Sequence, residues 1–216
     1  MNRYAITLAA GILAAACGNA QDGTVVRVDY VTVVVDADGT ETPWAEGVHY
    51  IADDGRHRHD ETVFGRSPTS SYRLPDEDVN VTVNHSLLEA VRSGQVAPME
   101  VAAPVGRGFQ AAFFEDLAEP LNLRMPPSIG DRTIGPLQLR GYAQDGAGPV
   151  RLENWMYEHP RMRTDPLAYP PIVVESTVSM SAGQTLETRA TSAQRVPLEP
   201  DTFVVPDSAS EATPGD

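Results

Sequence analysis

Apolar and polar positions alternate with a period of two over most of this chain, and those stretches predict strands. The clearest is Thr24–Val35, TVVRVDYVTVVV, rich in β-branched residues. Val26, Val28, Tyr30 and Val34 share one face of it, and Arg27 and Asp29 lie on the other. Residues 44–52 and 56–64 predict a hairpin around Asp53-Asp54-Gly55. Residues 65–78, which include Pro68 and Pro75, read as a loop. Val79–Asn84, VNVTVN, alternates again. Residues 132–142, 150–157, 172–181 and 185–196 predict four more strands, separated by gaps bearing Gly and Pro. Phe203-Val204-Val205 fits a last short strand or an apolar clasp.

Helical spacing interrupts this pattern midway. Ser86-Leu87-Leu88-Glu89 has the form of a capping box, which predicts a short helix over 87–93 ending near Gly94. A second helix fits 109–117, where Phe109, Ala112, Phe113 and Leu117 form one stripe and Pro120 follows. That stripe must bury against a sheet, and Leu137, Leu139, Val150, Leu152 and Met156 are the expected partners. Phe114 lies about 100° round the helix from Phe113, so one face cannot bury both rings. The expected fold is mainly β: a curved antiparallel sheet or incomplete β-barrel, with one or two short helices covering the open side. One domain spans 24–206, followed by a small, acidic, disordered tail over 207–216.

The N-terminus carries an address. Residues 1–16 have one charge, Arg3, then an apolar run ending in small residues, the form of a secretory signal peptide. The run is shorter than the ~20 residues a spanning helix needs. Cys17, the only cysteine, follows it directly. Leu13-Ala14-Ala15-Ala16-Cys17 resembles the lipobox of bacterial lipoproteins, with Leu13 four residues before the cysteine instead of three. Lipidation at Cys17, with 17–23 as a tether, is the first reading. Ordinary cleavage after Ala16 or Ala20 is the second, and a free cysteine without a role is the third. An unpaired thiol is a liability in an oxidising compartment, which favours the first.

Composition narrows the chemistry. The formal charge is −14, and there is no lysine. Such a chain repels nucleic acid, and any membrane contact comes from the lipid and not from charge. Without lysine there is no phosphate-loop lysine, Schiff base or Ser-x-x-Lys pair. With one cysteine there is no disulfide within the chain and no cysteine-rich zinc site.

Three histidines form the sharpest constellation. A three-residue turn at 53–55 pairs His49 with His59 and puts His49, His57 and His59 on one face, a set that fits zinc or copper. A two-residue turn sends His49 to the opposite face. The plainer alternative is a half-exposed strand whose histidines and arginines are polar surface. Asp36-Ala37-Asp38-Gly39-Thr40-Glu41 loosely matches a calcium loop but also suits a polar hairpin turn. Trp155 and Met156, with Phe113 and Phe114, are the candidates for lining an apolar ligand groove. No Gly-x-Ser-x-Gly or His-Glu-x-x-His motif occurs.

Three segments carry a family likeness. The first is Val48-His49-Tyr50-Ile51-Ala52 with Asp54-Gly55-Arg56-His57-Arg58. The second is Asp131-Arg132-Thr133-Ile134-Gly135 running into Leu139-Arg140-Gly141-Tyr142, then Glu153-Asn154-Trp155. The third is Pro197-Leu198-Glu199-Pro200-Asp201-Thr202-Phe203-Val204-Val205-Pro206. Together they resemble the bacterial lipoprotein-carrier (LolA/LolB-like) superfamily and its lipoprotein relatives. The resemblance implies an incomplete barrel that binds acyl chains or other hydrophobic ligands, or docks envelope partners, without catalysis. The expectation is therefore a non-enzymatic envelope lipoprotein with no cofactor, anchored at the outer membrane facing the periplasm. A soluble periplasmic or secreted form is the alternative location. A metal-binding module built on the histidine hairpin, or a purely structural docking lipoprotein, are the alternative functions.

Overall fold

In a computed structural model the described residues are 23–75, 79–87, 89–93, 127–145, 150–165, 168–180, 183–206 and 210–211. They build one sheet of twelve strands. These are β1 (Thr24–Val35), β2 (Glu41–Ile51), β3 (His57–Val63), β4 (Thr69–Leu74), β5 (Val79–Asn84) and β6 (Glu89–Ser93). After them come β7 (Ser128–Ile134), β8 (Leu137–Asp145), β9 (Arg151–Tyr157), β10 (Ile172–Ser179), β11 (Thr185–Pro197) and β12 (Ser210–Glu211). The spatial order is β12-β6-β5-β4-β3-β2-β1-β11-β10-β9-β8-β7, so β12 and β7 are the two edges and the sheet is not closed into a barrel. Every pairing is antiparallel except β12 with β6. A 3-10 turn at Pro160–Arg163 interrupts the strands. Among the described residues no helix is long and apolar enough to cross a membrane.

The mainly β, open-sheet fold expected from alternation is the fold observed, with three local corrections. Residues 65–78 are not one loop, because Thr69–Leu74 pairs with both neighbours as β4. Its sequence, TSSYRL, buries Ser70 beside Tyr72, and a buried serine gives no apolar signal. Residues 89–93 are a strand and not a helix. Asn84 Oδ1 accepts from the Ser86 and Leu87 backbone N–H groups, which turns the chain back so that Glu89 faces Asn84. A helix of two turns is marginal on its own, and pairing with β5 satisfies the same backbone groups. Residues 132–142 are two strands, folded at Gly135-Pro136 with Ile134 opposite Leu137. The closing segment is the clasp and not a strand. Phe203 packs against Val25 and Ala52, and Val205 packs against Tyr72, Val81 and Val83.

The sheet folds over on itself at two bulges. β10 pairs with β11 only over Ser176–Ser179 and Thr185–Thr188. Beyond this, the registers slip at Val174 in β10 and at Thr191 in β11. A bulge bends its strand and increases the local twist. The lower ends of β8 to β10 therefore leave the sheet plane and cover β1, β2 and β11. Leu137, Leu139 and Val174 pack against Val26, Val28 and Ile51, and Trp155 and Tyr157 flank them. The Gly135 turn reaches β11, although β9 and β10 lie between those strands in the sheet. Glu175 ties the fold-over by accepting from the Ala190 N–H and pairing with Arg132.

The apolar residues expected to receive the 109–117 helix therefore divide. Leu137 and Leu139 enter the fold-over core. Leu152 and Met156 belong to a second cluster with Tyr142, Val173, Val178 and Leu186, and Val150 packs against it. The helix itself lies outside the described residues.

Gly135 is the tightest point of this arrangement. Its φ is +53°, and a Cβ there would stand 2.0 Å from the Ala193 carbonyl oxygen. Gly39 also has a positive φ, but nothing lies within 4 Å of its Cβ position. In urea unfolding, Gly135→Ala should cost about 2–4 kcal/mol, from steric displacement added to backbone strain. Gly39→Ala should cost only about 1 kcal/mol. Equal costs would mean that the β7–β8 turn does not press on β11.

Candidate functional site

The hairpin of β2 and β3 has the three-residue turn. Ala52 N–H donates to the Arg56 carbonyl, and His49 stands opposite His59. His49, His57 and His59 consequently share one face. They are not polar surface: their exposures are 2%, 0% and 7%. The three rings are stacked. His49 lies 4.4 Å from His59 with 10° between the planes, and 5.2 Å from His57 with 14° between them. His49 Nδ1 and His57 Nε2 are 3.0 Å apart in a hydrogen bond, while His57 Nδ1 is buried without a partner.

Gly47 positions the fourth ring. A Cβ on Gly47 would come within 2.4 Å of the Tyr30 hydroxyl, so only glycine lets that ring lie across β2. The Tyr30 hydroxyl donates to Glu61 at 3.2 Å and lies 2.7 Å from His59 Nε2. With the phenol proton directed at Glu61, His59 Nε2–H is the donor to Tyr30.

Burial sets the charge of this cluster. His49 and His57 are held well below the ordinary imidazole range, by burial first and then by the repulsion that a second protonated imidazole in the stack would bring, with Arg73 adding to it at His57. Burial pushes His59 down to about 4. Burial also raises Glu61, against the opposing hydrogen bond from Tyr30. The imidazoles are thus neutral at physiological pH, the form in which histidine ligates metals. Their orientation does not suit a shared metal. Nitrogen lone pairs lie in the ring planes, and nearly parallel stacked planes do not converge on one point. Among the described residues no group of three or more His, Cys, Asp or Glu is disposed to hold a metal ion. The Asp36 turn is occupied internally: Asp38 accepts from the Thr40 N–H, Asp36 from Gln184, and Glu41 from Arg189.

The opposite face of the same strands carries a trough of about 480 Å³. Register places Asp29, Val48, Asp60 and Ser70 in one row across β1, β2, β3 and β4. Ser70, 1% exposed, donates to Asp60 Oδ1 at 2.6 Å and lies 2.7 Å from His85 Nε2. Arg58 donates to the same Asp60 oxygen at 2.8 Å. These residue types suggest a hydrolytic triad, but the order is wrong. Catalysis needs the histidine between serine and carboxylate, whereas here the serine sits in the middle and gives its proton to the carboxylate. The cluster cross-links β3, β4 and the end of β5. Sequence reasoning missed it because Ser70 lay in an expected loop and His85 has no motif around it.

The other candidates are placed as follows. Met156 is fully buried among Tyr142, Leu152, Val173, Val178 and Leu186. Trp155 lies on the opposite face of β9, under the Arg132 guanidinium at 4.2 Å. Phe113, Phe114 and Cys17 lie outside the described residues.

No protein-family model matches the chain, and no curated protein matches it. Solved structures do. The chain is similar to an uncharacterised conserved protein from Thermus thermophilus, with 8% identity, 86% of this chain and 89% of that chain covered, and a TM-score of 0.45. It is similar to a LolA superfamily protein from Nitrosomonas europaea, at 9% identity, 84% and 90% coverage and a TM-score of 0.37. It is also similar to MucB of Pseudomonas aeruginosa in its complex with MucA, at 13% identity and a TM-score of 0.37, with 88% of this chain and 58% of that chain covered. The similar solved structures thus include one from the superfamily that the three sequence segments resemble.

The depressed histidines predict an acid response. A group lowered in the folded state holds its full stabilisation above its unfolded pKa and loses it as pH falls towards the folded value. For His59 that window runs from about 6.5 down to about 4. The melting temperature should therefore fall steadily across it, before the surface carboxylates protonate. His59→Gln should flatten the slope, removing on the order of 3 kcal/mol of pH dependence. A melting temperature unchanged from pH 7 to pH 4 would show that the imidazoles are not buried.

Proposed function

We propose that this is a non-enzymatic, lipid-anchored envelope protein that holds an acyl chain or similar hydrophobic molecule on one face of its open sheet. One observation carries the reading. Tyr142, Leu152, Met156, Val173, Val178 and Leu186 form a buried apolar cluster, with Val34, Val150 and Met180 against it. Register puts the paired members of this cluster on one face of β1, β11, β10 and β9. All come from neighbouring strands of one sheet or from residues at their ends. An apolar sheet face needs a cover, and in a closed barrel or a sandwich a second wall of strands supplies it. In an unclosed sheet a helix and a ligand can share that task. In this reading the 109–117 segment is the cover, Phe113 its anchor and Phe114 a ligand contact. Cys17 supplies the anchor to the outer membrane.

Binding of a fluorescent fatty-acid analogue tests the ligand. Phe114→Ala should weaken binding about tenfold, the loss of one aromatic contact of 1–2 kcal/mol, with little change in melting temperature. Met156→Ala should cost about 2–5 kcal/mol of stability. No saturable binding by the wild type would overturn the ligand reading.

Fractionation tests the anchor. The wild type should sediment with membranes and Cys17→Ser should not, since a triacylated cysteine is ample for stable attachment. Equal solubility of the two would remove the lipid anchor.

A further inference from the structure

A polar row crosses the apolar face on which a hydrophobic molecule is proposed to lie. Register aligns Thr32, Thr188, Ser176, Asn154 and Tyr142 side by side on β1, β11, β10, β9 and β8. All five are buried, Ser176 with 3% exposure. Two residues along the same strands, and so on the same face, stand Val34, Leu186, Val178 and Leu152. On the other side of the row stand the paired Met156 and Val173. The polar side chains thus form a band inside the apolar cluster and not a rim around it.

We propose that this band receives the carbonyl of a neutral acyl ester whose apolar parts lie on both sides of it, so that the ligand is an ester lipid and not a free fatty acid. The inference rests on this face being a ligand site and names the class of ligand it takes.

Ser176 supplies the donor. The Thr32 and Thr188 hydroxyls are 2.9 Å apart and satisfy each other, and the Tyr142 hydroxyl donates to Glu158. Ser176 Oγ, at the centre of the row, is buried and has no hydrogen-bond partner. A buried hydroxyl without a partner costs free energy, and an acceptor on a ligand recovers it. The flanking residues say where in the ligand that acceptor lies. Apolar side chains stand on both sides of the row, which suits a carbonyl in the interior of a molecule. A carboxylate ends its chain.

Charge excludes the carboxylate as well. Both ends of the band lead to carboxylates: Glu158 accepts from Tyr142, and Glu61 accepts from Tyr30, two residues along β1 from Thr32. Arg140, opposite Met156, is already held by Asp131 and Glu158. A fatty-acid carboxylate placed beside Ser176 would be buried near like charge, and a buried charge needs a partner. An ester carbonyl asks only for the hydroxyl.

The test compares two probes, a fluorescent fatty acid and the butyl ester of the same acid. Each is titrated into the full chain in detergent at about pH 8, where the acid is ionised. Partition into protein-free micelles is measured for each probe and subtracted. The wild type should bind the ester more tightly than the acid. Ser176→Ala should weaken ester binding about fivefold, the share of one hydrogen bond, and leave acid binding unchanged. Its melting temperature should not fall, because the hydroxyl it removes is unsatisfied. Ser176→Thr keeps a hydroxyl and should keep the ester preference, which also decides the matter if the alanine variant fails to fold.

A wild type that binds the acid as tightly as the ester would overturn the proposal. So would a Ser176→Ala that weakens both probes alike or neither, since the hydroxyl would then be part of the core alone. In each of those cases the face remains a ligand site. Saturable binding of neither probe would instead overturn the ligand reading itself, and this inference with it.

Discussion

The hydrogen bonds between β10 and β11 stop at Ser176 and Thr188, and most of the architecture follows from that interruption. A single-layer sheet has two faces to remove from water and no second layer to do it. Here the slips at Val174 and Thr191 release the lower ends of β8 to β10, which then cover the β1–β2 end of the same sheet. Burial of Val26, Val28, Ile51, Leu137, Leu139 and Val174 drives the bend. Gly135 permits it, because nothing larger fits against Ala193. Had β10 paired with β11 along its whole length, Val26 and Ile51 would need a different cover.

The two faces of β1–β4 are built for different tasks. One holds Tyr30 and the three stacked imidazoles, dry and neutral, with their polarity absorbed internally apart from His57 Nδ1. That arrangement specifies register: a one-residue slip would bring Asp60 or Arg58 into its place. The other face holds Arg58, Asp60, Ser70 and His85 in a bonded network with water access.

Alternation made the sheet legible and left its turns and bends obscure. Val79–Asn84 announces itself because one face is all valine. Thr69–Leu74 does not, because its buried positions include Ser70, satisfied by Asp60 and His85 from residues ten and fifteen positions away. The capping-box pattern at Ser86-Leu87-Leu88-Glu89 is real as a pattern, but Asn84 uses the same N–H groups to make a hairpin turn. Local propensity lost to a pairing partner, as it commonly does in short segments. The histidine register was legible as a choice between two turn lengths, and the Ala52–Arg56 bond decides it. Burial of those histidines was not legible, since nothing in HRHDETV indicates which polar residues face inward. The Ser70 network joins three strands and cannot be seen from any one of them.

As proposed, the apolar face of β9, β10 and β11 is a binding surface and not merely a core. Native mass spectrometry of the protein purified gently from its own membrane fraction tests this directly. A binding face predicts a hydrophobic molecule bound at about one per chain, released by organic solvent, and distinct in mass from any lipid attached at Cys17. A chain that carries no non-covalent hydrophobic molecule, and folds and melts identically after solvent extraction, would contradict it.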